Sequence, residues 1–435
     1  MKSTAKLRRA ILSRNASVAV VGQGYVGLSV ACAAAESGFH VSGVDIDAER
    51  VADLRDGRLS VPGVSEDLFR SGVSSHRLRF VSEASSLGEA DIILVAVPTP
   101  LRDHTPDLSH IESACSDVAT HMKPGTLVIL ESTTYPGTTE QIVRPILEAR
   151  GLRAGSDFLL AYSPERIDPG NPEFGMRNTP RIVGGLSPEA TGVAGLFYEQ
   201  IVDKVIAVSS AQSAELAKLL ENTFRHVNVA LVNEMAMLCH EMGIDVWEVI
   251  DAAASKPFGF MVFEPGPGVG GHCIPLDPNY LAWQVRRDAG RQFRILEEAE
   301  DINSQMPVYV AGRIGEALND RGRAVRNANV LLLGMAYKPD IGDIRESPSL
   351  RVMELLHRRG ARVSFHDPHI ESIPFNGGRV ARTDLTRRTV AGSDCVALLT
   401  AHSLYDLEWI ADNAEMVFDA RNAYATVKSR NVVRL

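Results

Sequence analysis

Ser17-Val-Ala-Val-Val-Gly22-Gln-Gly24-Tyr25-Val26-Gly27 decides the fold. Ser17 to Val21 is a short, apolar, β-branched run of the kind that fills a buried parallel strand. The glycine turn follows at once, and Leu28 to Ser37 then suits a helix that Gly38 ends. His40 to Asp45 reads as a second strand, so the unit is a βαβ of about 30 residues, the size of a nucleotide-binding half. In Gly22-x-Gly24-x-x-Gly27 the glycines serve a tight turn, close approach of backbone to a pyrophosphate, and close helix-to-strand packing. Asp45 stands about 20 residues on, where its carboxylate can accept from both ribose hydroxyls. A carboxylate there repels a 2′-phosphate, which favours NAD over NADP.

Two further strands end in small or hydroxylated residues, as befits the carboxyl edge of an open sheet. They are Asp91 to Val97, stopped by Pro98-Thr99-Pro100, and Leu127 to Leu130, stopped by Glu131-Ser-Thr133-Thr134. From about Ser209 to Leu318 the character turns helical. Ser213 to Glu241 has no internal Gly or Pro, and helical periodicity sets Lys218 and Asn222 on one face. A second helical stretch is expected over 279–303. Near Asn329 the opening pattern returns: strand 330–333, helix 347–359, and Ala361 to Asp367 in the form of His40 to Asp45. The architecture expected is α/β, two Rossmann-like doubly wound domains joined by a long central helix and helical domain. The boundaries are 1–208, 209–318 and 319–435. The length of the central helix suggests a spine and dimer contact, hence a homodimer or higher homo-oligomer.

At 435 residues the chain exceeds one ordinary core. Its 45% hydrophobic and 23% charged residues are those of a globular protein, and a net charge of -9 argues against nucleic-acid binding. No apolar run approaches a membrane span, and the basic start lacks the apolar core of a secretory signal. Five scattered cysteines suggest neither a disulfide framework nor a metal site, so a reducing cytoplasm is expected.

One of those cysteines has distinctive neighbours. Cys273 lies in Gly266-Pro-Gly-Val-Gly270-Gly-His272-Cys273-Ile-Pro-Leu276-Asp277-Pro278, where small residues leave the sulfur approachable and His272 and Asp277 offer polar company. A buried cysteine in a Gly-Pro loop is the plainer alternative. In the second half Gly334 to Ser347 replaces the glycine fingerprint, with Lys338 and Arg345 as two cations suited to a diphosphate or a sugar, or else to a solvated loop. Lys218 and Asn222 are either surface residues or an ammonium and an amide aimed at a developing oxyanion.

Gly-Gln-Gly-Tyr-Val-Gly-Leu, Gly-Val-Gly-Gly-His-Cys-Ile-Pro-Leu-Asp-Pro and Tyr-Lys-Pro-Asp-Ile-Gly-Asp-Ile-Arg-Glu-Ser, in that order, resemble the UDP-glucose and UDP-N-acetylhexosamine 6-dehydrogenase family. The resemblance covers nearly the whole chain and implies oxidation of a sugar C6 alcohol to a carboxylate with two NAD molecules. It makes Cys273 the nucleophile of a thiohemiacetal and then a thioester. Lys218 and Asn222 become oxyanion stabilisers, and Asp277 a proton-transfer or positioning group. Thr133 and Glu165 fall near the reacting carbon and hydrolytic water. Gly22, Gly24, Tyr25, Val26, Gly27, Asp45, Arg50, Pro98, Thr99, Thr133 and Arg345 become cofactor contacts. Glu165, Arg166, Lys218, Asn222, Gly270 and Lys338 become contacts of the UDP-sugar. Leu276 stands where glucose enzymes carry lysine. With Ser163-Pro-Glu-Arg and Lys256-Pro-Phe-Gly-Phe260, it makes the chain look more like the N-acetylhexosamine branch, UDP-N-acetylglucosamine 6-dehydrogenases above all. UDP-glucose or a dTDP-sugar stays open, as do a two-electron hydroxy-acid dehydrogenase and a silent sugar-nucleotide sensor.

Overall fold

A computed structural model describes residues 2–61, 64–102, 105–168, 171, 173–271, 274, 276–427 and 429–435. His272 and Cys273 lie outside them. The chain divides into two compact units, Met1–Glu221 with Asn279–Gln284, and Asn222–Pro278 with Val285–Leu435.

The first unit is built on an eight-stranded sheet. In chain order its strands are β1 (Ser17–Val21), β2 (His40–Val44), β3 (Leu78–Val81), β4 (Ile92–Val95), β5 (Leu127–Leu130), β6 (Leu159–Tyr162), β7 (Arg181–Gly185) and β8 (Val205–Ala207). Their order across the sheet is β8-β7-β6-β5-β4-β1-β2-β3. Every pairing is parallel except β6 with β7. The order reverses at β1 and β4, the crevice where doubly wound sheets bind ligands. Isoleucine, leucine and valine at 92–95 and 127–130 are buried on both faces, which is why these runs are continuous rather than alternating. Helix α1 (Lys2–Leu12) buries Leu7 and Ile11 against the outer core. Helix α2 (Tyr25–Glu36) is alanine-rich, so it packs close to the sheet. Gly38 leaves it at φ 100°. Helix α3 (Pro188–Tyr198) carries Phe197 and Tyr198 into the same core.

Helix α4 (Ala211–Met242) is the uninterrupted central helix expected from its composition. The helical run expected over 279–303 is two helices instead, α5 (Asp277–Ala289) and α6 (Arg294–Asp320). Gly290 adopts φ 60° after α5 and carries the chain out of the helix, a left-handed stop that isolated periodicity conceals. Pro307 is accommodated within α6.

The second unit holds a five-stranded parallel sheet: β9 (Asn329–Leu333), β10 (Arg362–His366), β11 (Cys395–Leu398), β12 (Val417–Asp419) and β13 (Val432–Arg434), in the order β10-β9-β11-β12-β13. Helix α7 (Pro348–Arg358) packs on it beside α6. The repeat legible in the sequence is therefore real at the level of the fold: two doubly wound sheets, one larger than the other. Among the described residues no helix is long and apolar enough to cross a membrane.

Candidate active site

The glycine turn is built as the spacing requires. Gly22 sits at φ 89°, and a Cβ there would lie 2.5 Å from the Ala96 carbonyl oxygen. A Cβ on Gly27 would lie 1.9 Å from the Gly22 carbonyl oxygen, so helix and strand meet only because both side chains are absent. Around Gly24, by contrast, a Cβ would meet nothing within 4 Å. Gly24 is also the N-cap of α2 and supplies no side-chain cap, so the helix's first N–H groups face open space. This arrangement fits a pyrophosphate. Tyr25 and Val26 are half-buried in the first turn, with the Tyr25 hydroxyl donating to the Ile167 carbonyl at 3.2 Å.

Asp45 is buried at the end of β2. It accepts from Gln23 N at 2.6 Å and Asp47 N at 2.9 Å, and Arg50 Nη1 lies 3.1 Å from Oδ2. A carboxylate offers about four acceptor positions, so these three donors leave less room for the ribose than the two hydroxyl bonds read from sequence. Arg50 also pairs with Asp47 at 3.4 Å, so its charge is already balanced by two carboxylates. Pro98 is exposed and Thr99 buried just after β4. The Tyr280 hydroxyl of α5 donates to the Thr99 carbonyl. Nearby, Gln284 Nε2 reaches the Pro136 carbonyl at 2.7 Å and Trp283 packs on Tyr135 with ring centroids 5.1 Å apart. These contacts lay α5 across the carboxyl edge of the first sheet.

The start of α4 is fastened to that same edge. Glu215 is buried and accepts from Gly137 N at 2.6 Å, Thr139 N at 2.9 Å and Thr139 Oγ1 at 2.6 Å. Burial pushes its carboxyl above the ordinary range even against those donors. Two turns along, Arg166 Nη2 lies 2.6 Å from Glu221, so the helical turn bearing Lys218 stands beside the segment Ser163–Arg166. Arg166 also donates to the Pro180 carbonyl at 2.6 Å and is thus a tether between loops as well as a candidate ligand. Lys218 is only 7% exposed, and its ammonium has no hydrogen-bond or ion-pair partner among the described residues. A lysine packed along its stem with an uncommitted ammonium is placed to meet developing negative charge. Thr133 is half-buried just beyond β5. Glu165 is buried and accepts from Arg166 N at 2.6 Å, Ile167 N at 2.7 Å and Arg181 Nη1 at 2.8 Å.

In the second unit the loop leading to Cys273 is clamped along its length. Gly266 N donates to Asn233 Oδ1 at 3.0 Å, and Asn233 donates in turn to Asn303 at 2.9 Å. Gly271 N donates to the Arg345 carbonyl at 3.0 Å. A Cβ on Gly270 would lie 2.7 Å from Tyr337 Cβ and 2.8 Å from the Glu346 carbonyl oxygen, so only glycine permits this approach. Asp277, the first residue of α5, is buried and accepts from Asn222 Nδ2. The asparagine and the aspartate picked out 55 residues apart are thus one hydrogen-bonded pair.

Arg345 is exposed and forms a bidentate pair with Asp343, its Nη2 2.6 Å from Oδ2. Lys338 is half-buried on the same loop. His402 holds that loop: Nδ1 accepts from Asp340 N at 2.9 Å, so Nε2 is the donor to Asp367 Oδ2 at 3.0 Å. Asp367 matches Asp45 in position, but Met335 N, Ala336 N and His369 N also donate to it, at 2.7, 3.0 and 2.9 Å. Burial works against its charge, yet these donors hold its pKa below the ordinary value. The second sheet therefore spends on its own loops the acid that corresponds to Asp45 in the first. Asp340, His369 and His402 offer ligand atoms within 4.8 Å of one another, but both His402 nitrogens are already engaged. A cleft of about 680 Å³ opens beside Gly268 and Val269, but Glu300, Glu346 and Glu354 line it against a single arginine, Arg351, an unsuitable wall for a diphosphate.

Sequence reasoning missed Glu131, Arg181, Tyr198, Asn233 and Asn303. A signal existed for one of them. Asn233 lies eleven residues beyond Asn222, close to three turns, and so continues the polar line of Lys218 and Asn222 along the helix.

Comparison with known proteins agrees with this layout. Residues 16–202 match the NAD binding domain of the UDP-glucose/GDP-mannose dehydrogenase family, 212–305 its central domain, and 331–426 its UDP binding domain. A UDP-N-acetyl-D-mannosamine dehydrogenase of Pyrococcus horikoshii is 35% identical over 96% of both chains. An NDP-N-acetyl-D-galactosaminuronic acid dehydrogenase of Ralstonia solanacearum is 34% identical over 94% of this chain and 96% of its own. The solved structure of the UDP-D-ManNAc dehydrogenase from P. horikoshii superposes with a TM-score of 0.86 at 34% identity, over 96% of this chain and 98% of that one.

Proposed function

The chain belongs to the UDP-glucose/GDP-mannose dehydrogenase family, an NAD-dependent oxidoreductase family, and from that we propose that it oxidises the C6 alcohol of a UDP-N-acetylhexosamine to the uronate in two steps. The observation that carries this reading is the Lys218 side chain, 7% exposed and with its ammonium unpartnered among the described residues, one helical turn from the Asn222–Asp277 pair. Relatives named for N-acetylated sugars, and leucine at 276, favour the hexosamine branch over glucose.

NAD, when bound, takes up the hydride that C6 loses in each oxidation. The N-terminus of α2 would hold its pyrophosphate and Asp45 its ribose, while Ile46, exposed next to that acid, would offer an apolar face to the adenine. Lys218 and Asn222 stabilise negative charge on the C6 oxygen, and Asp277 orients the amide. The Cys273 sulfur bonds the aldehyde carbon, so the half-oxidised sugar stays attached until it becomes a thioester. Thr133 and Glu165 lie by the carbon and the water that hydrolyses it. Gly270 and Lys338 place the sugar nucleotide. Phe224, Leu231 and Leu238, exposed at seven-residue intervals on α4, form a stripe for a second copy of the chain.

The test is a panel of UDP-N-acetylmannosamine, UDP-N-acetylglucosamine, UDP-N-acetylgalactosamine, UDP-glucose and dTDP-glucose, with product acids identified by mass. An N-acetylhexosaminuronate should form fastest. A strong preference for UDP-glucose would contradict the branch assignment.

A further inference from the structure

Behind Glu165 lies a buried ionic cluster within the first unit that the chemistry above does not use. Tyr162 of β6 pairs with Gly184 of antiparallel β7, so three residues further up the register Glu165 stands opposite Arg181. Arg181 is 3% exposed. Its Nη1 lies 2.8 Å from Glu165 Oε2, its Nη2 2.7 Å from Glu131 Oε1, and its Nε donates to Ser163 Oγ at 3.1 Å. The guanidinium carbon stands 4.9 Å from the Tyr198 ring centroid, and the Tyr198 hydroxyl donates to Glu131.

Two carboxylates share one cation almost wholly out of water, so a single bound proton would remove the surplus charge. The two acids are not equivalent. Glu165 has backbone N–H groups from Arg166 and Ile167 on its outer oxygen, whereas Glu131 Oε2 has no hydrogen-bond partner. Burial pushes the Glu131 carboxyl up, only partly offset by Arg181. Although burial also opposes its own charge, the two glutamates hold the Arg181 guanidinium well above its ordinary value. Burial and an unpartnered oxygen make Glu131 a favoured place for a proton in this cluster.

We propose that Arg181 is a positioning residue for thioester hydrolysis: its guanidinium, anchored on Glu131 and Ser163, fixes Glu165 in one orientation to hold the attacking water. The idea rests on the covalent reading given above. In the step itself, water oxygen bonds to the acyl carbon and the carbon–sulfur electron pair returns to Cys273. One water proton goes to that sulfur, and the other is released as the product acid ionises. Misplacing Glu165 should slow this step and spare the two oxidations.

Full-length Arg181→Met, mixed rapidly with NAD and UDP-N-acetylmannosamine, should give a normal burst of two NADH per site. A steady state slower by on the order of 10²-fold should follow, with a sugar-acyl adduct on Cys273 by intact mass. Arg181→Lys keeps the buried charge should the methionine variant fail to fold, and is expected to show the same imbalance in smaller measure. Glu131→Gln should retain near-normal turnover, since it mimics the protonated acid. A burst and steady state lowered in equal proportion without adduct, or Glu131→Gln as damaging as Arg181→Met, would overturn the role. One NADH per sugar in the wild-type enzyme would instead remove the covalent reading, and this role with it.

Discussion

Thiol reactivity should separate the proposed nucleophile Cys273 from three buried cysteines of the first and second units. Burial raises the Cys32, Cys115 and Cys395 thiols to about 12, so at mildly alkaline pH they stay protonated and inert. Iodoacetamide followed by peptide mapping should mark Cys273 and leave those three unlabelled, and substrate should protect it. Lys218→Met should lower kcat on the order of 10²- to 10³-fold, the usual cost of one oxyanion donor, with little change in the KM for NAD. The meeting of Asn222 with Asp277 beside Lys218 was legible, because motif and helical spacing single those residues out. Glu131, Arg181 and Tyr198 were not, because only the antiparallel register of β6 and β7 unites residues so far apart in the chain.

Elements divide in the same way. The βαβ opening was legible because its strands are continuous apolar runs and its glycines have a fixed spacing. The break between α5 and α6 was not, because a single glycine in a left-handed conformation interrupts a pattern that otherwise continues. Strand β8 is only three residues long, too short for any period to register. The clamp on the thiol loop is also a property of elements. Gly270→Ala places a Cβ against Tyr337 and the Glu346 carbonyl, so denaturant unfolding should show a loss of about 1–3 kcal/mol, accompanied by slower turnover. On α4, Leu231→Asp sets a charge in the middle of the exposed apolar stripe. Sedimentation should then shift toward monomer while the far-ultraviolet spectrum stays unchanged.

At the scale of the molecule, two sheets share one plan and put it to different uses. The acid after β2 accepts from two backbone N–H groups and Arg50, whereas the one after β10 is taken up by His402 and three backbone N–H groups. Sequence showed the repeat but not that difference, since His402 lies 35 residues from the acid it binds. Burial raises Glu131, Glu215 and Asp419, so the native state keeps protons that the unfolded chain has already released. Native stability from these groups is therefore greatest at the acid side and is lost as pH rises through their raised values. Denaturant midpoints should fall from mildly acidic to neutral pH, and less steeply in Glu131→Gln.

The number of NADH molecules formed per sugar nucleotide consumed tests the central claim most directly, because a sulfur-bound intermediate exists to join two oxidations. Two NADH with one uronate, and no aldehyde released, is the expected result. One NADH with a free aldehyde as product would contradict it.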